Sequence, residues 1–383
     1  MSELRKFVSP EFVFGSKALE MAGRYAYNLG AQKALIVSDH GVYSAGWTQK
    51  VCNSLELSDV SFELFLDITP NPRAEEVMQG VDIYENNGCD VIVAVGGGSA
   101  IDCAKGIGIS SSNKKHVLEF EGVDNVDIPG PPLICIPTTA GSSADVSQFA
   151  IINNRDKRVK IAIISKTTVP DVALIDPETT TTMDNYLTAC TGMDAMVHAI
   201  EAYVSSASSP IFDLHALEAV RLIHSYLISA IEYPQDIISR DKMMLGSLEA
   251  GLAFSNASLG AVHAMAHSLG GFLDVPHGEC NSILLDHVIA YNYEVVPERY
   301  DRIGHIMGID TGGLAEKERK DKLLKKIRKM KKQAGITKTL KDIGLHKSDI
   351  KSLAQKAIHD SCIFTNPRKP SLKELEVIYE DAL

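Results

Sequence analysis

The sequence predicts two halves of different class, an α/β Rossmann-like domain over residues 1–180 and an all-α domain over residues 181–383. Three observations carry that division. Up to Asp176-Pro177, short apolar runs alternate with amphipathic helical stretches, the rhythm of a parallel sheet covered by helices. One of those runs passes straight into Gly96-Gly97-Gly98-Ser99. From Asn185 onward the apolar spacing is helical almost to the end.

Taken in order, Lys33–Asp39 is a short apolar run ending in polar residues, and Trp47–Leu57 reads as an amphipathic helix. Ser61–Leu66 is a second strand, stopped by Thr69-Pro70-Asn71-Pro72-Arg73, and Ala74–Asn87 is helical. Asp90–Val95 is a nearly continuous apolar strand, followed by a helix over Ala100–Ile109. Pro132–Pro137 is a fourth strand. Ala150–Ile152, Lys160–Ile164 and Val172–Ile175 are shorter ones, with room for a hairpin among them. The rhythm breaks at Thr179–Thr182. Residues 316–332 are rich in Lys and Arg, with Leu323, Leu324, Ile327 and Met330 interleaved at helical spacing, which predicts a solvated helix face.

The totals exclude several classes. A chain of 383 residues with 45% hydrophobic and 23% charged residues is an ordinary globular composition with material for a large core. A net charge of −11 argues against general nucleic-acid binding. No run approaches the roughly 18 apolar residues of a membrane span, and Met1–Lys6 leads into no apolar signal core. Seven scattered Cys with no C-x-x-C pair point to reduced thiols and a cytoplasmic home.

The glycine turn is the first site signal. Glycines between a buried strand and a helix let the backbone approach a phosphate, and the helix N-terminus supplies N–H donors. Ser99 and Asp102 also fit a capping box, which is compatible with that reading. Asp39, at the end of an earlier strand, is placed either to accept both ribose hydroxyls of an adenosine, which favours NAD over NADP, or as a simple loop aspartate. It precedes the glycines, the reverse of the common fingerprint. Thr138–Ser143 follows the fourth strand and suits either a ligand crevice or ordinary turn chemistry.

The second signal is a set of polar residues in apolar helices. Asp194 and His198 stand four apart in Gly192–Glu201, His263 and His267 four apart in Gly260–Gly271, and His277 follows in Val275-Pro276-His277-Gly278. Residues at i and i+4 share a helix face, and burying each of these groups is costly unless it is paired. Mixed nitrogen and oxygen donors predict a divalent metal, with Fe(II) and Zn(II) both suited.

Together these stretches resemble the iron-containing (group III) alcohol dehydrogenases, from Phe14-Gly15 to Asn366-Pro367-Arg368. The resemblance implies an N-terminal dinucleotide domain and a helical metal-binding domain. It also implies an NAD(H)-dependent reaction on a small primary alcohol or aldehyde, including a charged one such as a sulfonated aldehyde. By residue it places metal ligands at Asp194, His198, His263 and His277, and a non-ligand His near the nicotinamide at His267. Cofactor contacts fall on Asp39, Asn71, Gly97, Gly98, Ser99, Asp102, Thr138, Thr139, Ser143, Phe149 and Lys160. The cofactors implied are NAD(H) and Fe(2+), with Zn(2+) or another divalent ion as the variant, and homodimers or larger homo-oligomers are expected. The alternatives are a zinc-dependent polyol dehydrogenase of the glycerol type and a non-catalytic metal- and nucleotide-binding regulator. The chain departs from the family pattern at Ser142-Ser143-Ala144-Asp145, and at Asp184 and Asp286, where Pro is common.

Overall fold

The structure, a computed structural model, describes residues 6–383. Met1–Arg5, part of the terminus read above for a signal core, lies outside the described residues. The chain divides into two compact units, Val8–Met183 and Asp184–Leu383, with residues 6–7 attached to the second.

The first unit contains β1 (Glu11–Phe14), α1 (Ala22–Asn28), β2 (Lys33–Val37), α2 (His40–Ser44), α3 (Trp47–Glu56), β3 (Ser61–Phe65), α4 (Ala74–Asn86), β4 (Val91–Gly96), α5 (Gly98–Asn113), β5 (Gly122–Val123), β6 (Leu133–Pro137), β7 (Phe149–Asn154), β8 (Val159–Ile164) and β9 (Val172–Ile175). Six strands form a sheet in the order β1-β9-β6-β4-β2-β3, with every pairing parallel. Its inner strands β4, β6 and β9 read as unbroken apolar runs because both faces are buried. Ala34, Ile36, Val91, Val93 and Val95 point to the core shared with α1 and α3. Leu35, Val37, Ile92 and Ala94 point to the opposite core shared with α4 and α5. That two-residue alternation is the strand period itself. The expected hairpin is β7–β8, antiparallel, with β5 added to its edge.

The sheet order positions a site. From β2 the chain passes to β3 on one side, and from β4 it passes to β6 on the other. The carboxyl ends of the neighbours β2 and β4 are therefore a switch point, where open α/β sheets place their ligand crevice. Asp39 and Gly97 follow these two strands. The unusual sequence order of acid and glycines is thus resolved in space, because strand adjacency rather than chain order brings the two together.

The second unit comprises α6 (Asn185–Val204), α7 (Pro210–Glu232), α8 (Ile237–Ala257), α9 (Ala261–Leu273), α10 (His277–Asn292), α11 (Pro297–Ile306), α12 (Glu316–Gln333), α13 (Ile350–Ala357) and α14 (Leu372–Asp381). Among the described residues it holds no strand. No described helix is long and apolar enough to cross a membrane. The basic helix α12 corrects one expectation. It buries Leu323, Leu324, Ile327 and Met330 as its spacing predicts, but its charged face is not simply solvated. Arg328 Nε and Lys331 Nζ each lie 2.6 Å from a carboxylate oxygen of Asp286, a residue of α10 that is buried.

Candidate active site

Helix α6 starts where Asp184 accepts a hydrogen bond from the Leu187 N–H at 2.7 Å. From Gly192 to Val204 every residue is buried, so the helix is apolar all round and lies inside the unit. Asp194, His198 and Glu201 are buried with it. Helix α10 begins at His277 and presses its first turn onto α6. A Cβ at Gly278 would stand 2.2 Å from the carbonyl oxygen of Cys190, so only glycine allows that approach. Helix α9 contributes His263 and His267, both buried.

Three of the four expected ligands converge. Donor atoms of Asp194, His263 and His277 lie within 4.8 Å of one another. Asp194 Oδ1 is 3.8 Å from both His263 Nε2 and His277 Nε2. The amide of Asn281, one turn beyond His277 on α10, reaches into their midst. Its Nδ2 donates to Asp194 Oδ1 at 2.6 Å and lies 3.1 Å from each of the two imidazole Nε2 atoms. With both Nε2 atoms unprotonated, three acceptors surround an amide nitrogen that has two protons, one donor short. Asn281 Oδ1 is meanwhile buried with no hydrogen-bond partner among the described residues. Lone pairs aimed at one point, and an amide that satisfies neither them nor itself, fit a site made for a small cation. His198 lies beside this group. Its ring stacks between Phe254, at 4.3 Å, and His263, at 4.6 Å.

Two carboxylates that carried no role in the sequence reading orient the imidazoles. Glu201, one turn past His198, has Oε2 2.6 Å from His263 Nδ1 and accepts the Val262 N–H at 2.7 Å through Oε1. Burial, then the neighbouring His198, holds the His263 pKa well below the usual imidazole range. A neutral ring whose Nδ1 proton is held by Glu201 presents its Nε2 lone pair to the cluster, the arrangement that tunes metal-ligating histidines. Burial pushes the Glu201 carboxyl up to about 7 against the pull of three backbone N–H groups. His267 Nδ1 lies 2.8 Å from Asp360 Oδ2, and its ring stacks on His277 at 5.3 Å. Asp360 is also nearly buried, yet its pKa is lowered, because its ion pair and hydrogen bond with His267 outweigh desolvation. The signal for Glu201 was present in the i, i+3 step from His198. Asp360 has none, since it lies 93 residues from its partner.

At the switch point the first unit brings Asp39 and Thr138 to Gly96, Thr139 to Gly97, and Asn71 to Ser99 and Lys160. The capping box expected at Ser99 and Asp102 does not form. The helix starts two residues earlier, with Gly97 at its N-cap and no side-chain cap. By contrast α6, α7 and α8 are capped by Asp184, Ser209 and Asp236. The first N–H groups of α5 are thereby left to an external acceptor, as an anion site requires. Ser99 Oγ instead accepts the backbone N–H of Asn71 at 3.3 Å, and Asn71 Oδ1 accepts from Lys160 Nζ at 2.6 Å. Three expected residues from distant segments are joined in one relay. Gly97 and Gly98 pack on the loop after β6. A Cβ at Gly97 would lie 3.1 Å from Thr139, and one at Gly98 would lie 2.8 Å from Ser142. The Thr138 N–H donates to the Gly96 carbonyl at 3.0 Å. Asp39 caps the short α2 through Oδ1, accepting from Gly41 and Val42 at 2.8 and 3.0 Å. Asp102, Ser143 and Phe149 are buried nearby in sequence, within α5, in the Gly141–Gln148 loop and at the start of β7.

The family model described as iron-containing alcohol dehydrogenase matches residues 9–177, and the model for the C-terminal part of the Fe-containing alcohol dehydrogenase family matches residues 188–383. The chain belongs to the iron-containing alcohol dehydrogenase family. Membership makes it an oxidoreductase of the alcohol dehydrogenase type. Among the relatives of this family member is 1,3-propanediol dehydrogenase of Klebsiella pneumoniae, 37% identical over 371 residues, covering 96% of each chain. NAD-dependent methanol dehydrogenase of Bacillus methanolicus is 34% identical over 98% of this chain and 99% of its own. A crystal structure of 1,3-propanediol oxidoreductase superposes with a TM-score of 0.96 at 36% identity, covering 100% of both chains. Two of the three departures of this iron-containing alcohol dehydrogenase from its family pattern, Asp184 and Asp286, have local explanations. Asp184 replaces one helix starter, Pro, with another, a capping carboxylate. Asp286 has acquired two cationic partners on α12.

Proposed function

We propose that the protein is an NAD(H)-dependent, divalent-metal alcohol dehydrogenase or aldehyde reductase acting on a small primary alcohol or aldehyde. The observation that carries this reading is the Asn281 amide caught among Asp194, His263 and His277 with its own oxygen unpartnered. Asp194, His198, His263 and His277 would hold the ion, and Fe(2+) is the proposed occupant because the family is the iron-containing one. The bound ion supplies Lewis acidity toward a substrate oxygen, and the nicotinamide exchanges the hydride. Burial keeps His263 neutral, and Glu201, on its Nδ1, aims Nε2 at the cluster. His267 is the proton carrier, with Asp360 fixing which of its nitrogens holds the proton. In the first unit, Gly97, Gly98 and the uncapped start of α5 receive the pyrophosphate. Asp39 receives the adenosine ribose through the oxygen that α2 does not use. Asn71, Ser99, Asp102, Thr138, Thr139, Ser143, Phe149 and Lys160 complete the cofactor's surroundings. NAD is favoured over NADP by the carboxylate of Asp39 and by the NAD-dependent relative.

We further propose a homodimer or larger homo-oligomer in the cytoplasm. Seven buried cysteines, none in a disulfide, support a reducing compartment. Protein purified without oxygen should carry close to one iron per chain and should oxidise NADH when C2–C4 aldehydes are added, with a sulfonated aldehyde as the charged member of the panel. Zinc in place of iron together with activity on glycerol would favour the polyol dehydrogenase branch. Metal and NADH binding without turnover on any member would identify a regulator instead.

A further inference from the structure

Helix α5 carries a lysine that the chemistry above does not use. Lys105 is 2% exposed, on the face of α5 away from solvent. Its ammonium donates to the carbonyl oxygens of Ser147 and Phe149, at 2.7 Å each, and lies 3.4 Å from Ser147 Oγ. The carbonyl between them, of Gln148, accepts from the Ser165 N–H at 3.0 Å and from Thr168 Oγ1 at 2.8 Å. Three successive carbonyls are thus held from two sides, at the end of the loop that contains Ser143 and at the residue that starts β7, Phe149. Burial lowers the pKa of Lys105, and the nearby carboxylates Asp102 and Asp145 act against that shift.

The same residue lines a cavity of about 270 Å³ whose other walls include Ile92, Ile109, Leu133, Lys166 and Thr168. Pro129 and Lys166, also on its wall, are exposed, so the cavity reaches solvent. Ile92 and Leu133 sit at the amino ends of β4 and β6, so this cavity lies at the end of the sheet opposite to the glycine turn.

We infer that Lys105 is a positioning residue for dinucleotide binding: its ammonium sets the Ser147–Phe149 segment and with it the cofactor contacts of Ser143 and Phe149, and the cavity beside it admits a small free cation that can do the same. The inference rests on the dinucleotide reading of the first unit. Without the ammonium, the Ser147 and Phe149 carbonyls lose a charged donor at 2.7 Å, which the 3.5 Å contact of Ser147 Oγ with the Phe149 carbonyl does not replace, and the segment shifts. A four-heavy-atom ion such as n-propylammonium, on the order of 100 Å³ at the packing of a liquid, fits the cavity together with the space vacated by a shortened side chain.

The test compares wild type, Lys105→Ala and Lys105→Met in the full-length, metal-loaded protein, reading NADH affinity by fluorescence, metal content, and kcat and KM separately. Both uncharged variants should bind NADH at least tenfold more weakly and show the loss in KM for NADH, with metal content unchanged. n-Propylammonium at tens of millimolar should restore NADH binding to Lys105→Ala, and 1-propanol, of the same shape without the charge, should not. Wild-type affinity in both variants would overturn the inference, as would equal rescue by 1-propanol or failure of both variants to fold, which would make Lys105 a residue of the fold alone. Absence of NADH binding by wild type would overturn the dinucleotide reading instead.

Discussion

The glycine turn of the first unit and the histidine cluster of the second are built in opposite ways. The turn is made of backbone, and nearly every side chain around it already has a local occupation. Asp39 caps α2, Ser99 receives Asn71, and Gly98 fits against Ser142. The cluster is made of side chains that leave one another unsatisfied, with three acceptors around an amide that has two protons. In a site of the first kind the side chains are occupied without the ligand, and only backbone N–H groups await it. A site of the second kind stores an unmet electrostatic demand, and that demand identifies its ligand as a cation. The two should therefore respond differently to mutation.

The largest effect is expected in the cluster. His263→Ala removes a donor from the centre and should abolish tight metal binding, with kcat/KM falling by about a thousandfold or more, since Lewis-acid stabilisation is worth several kcal/mol. Metal analysis beside steady-state kinetics reads it, and turnover persisting in metal-free protein would refute the mechanism. Glu201→Gln should do less. It keeps the shape but weakens the hold on His263 Nδ1, and such outer partners are typically worth about 10–100-fold in metal affinity. Competition with a chelator would measure it, and NADH binding should be untouched.

In the turn the expected loss is steric. Gly98→Ala would bring a methyl to 2.8 Å from Ser142 and should cost about 1–3 kcal/mol, spread between stability and NADH binding, with metal content unchanged. Adding Ser142→Gly removes the opposing atoms and should recover most of the loss. A double variant no better than the single one would mean that the glycine is needed for close approach of the phosphate rather than for packing.

The contrast also governs what could be read in the sequence. Asp194/His198 and His263/His267 declare themselves because an i, i+4 step on an apolar helix leaves few explanations. The parallel strands declare themselves because burial on both faces forces continuous apolar runs. The short edge strand β1, exposed along half its length, carries no such pattern, and neither does the seven-residue α1. The start of α5 was misplaced because Ser99 and Asp102 have the right chemistry for a cap, while the actual N-cap, Gly97, offers no side chain at all. Asp360 and Asn281 were invisible as site residues for a different reason. Their roles come from where the chain brings them, not from their neighbours in sequence.

The smallest predicted effect compares one buried carboxylate from each unit. Asp145, in the loop after β6, has its pKa raised to about 6 by burial. Asp286, on α10, has its pKa lowered, because Lys331 and Arg328 outweigh the burial that would raise it. The two must contribute to stability with opposite slopes. For Asp145 the folded state holds the proton more tightly than the unfolded one, whose pKa is about 4. Its contribution is fully present below about pH 4 and is lost as pH rises through about 6. For Asp286 the contribution is present above the ordinary carboxylate pKa and is lost as pH falls through its lowered value. Each slope is limited to about 1.4 kcal/mol per pH unit for one proton. Thermal melts from pH 2 to 8 should therefore show Asp145→Asn flattening the stability change between about pH 4 and 6. Asp286→Asn should instead blunt the loss at the acid end and lower stability near neutrality, where two cations on α12 are left without their carboxylate. If both variants changed the profile in the same direction, burial rather than pairing would dominate at Asp286, and the acquired ion pair between α10 and α12 would not be what holds that helix in place.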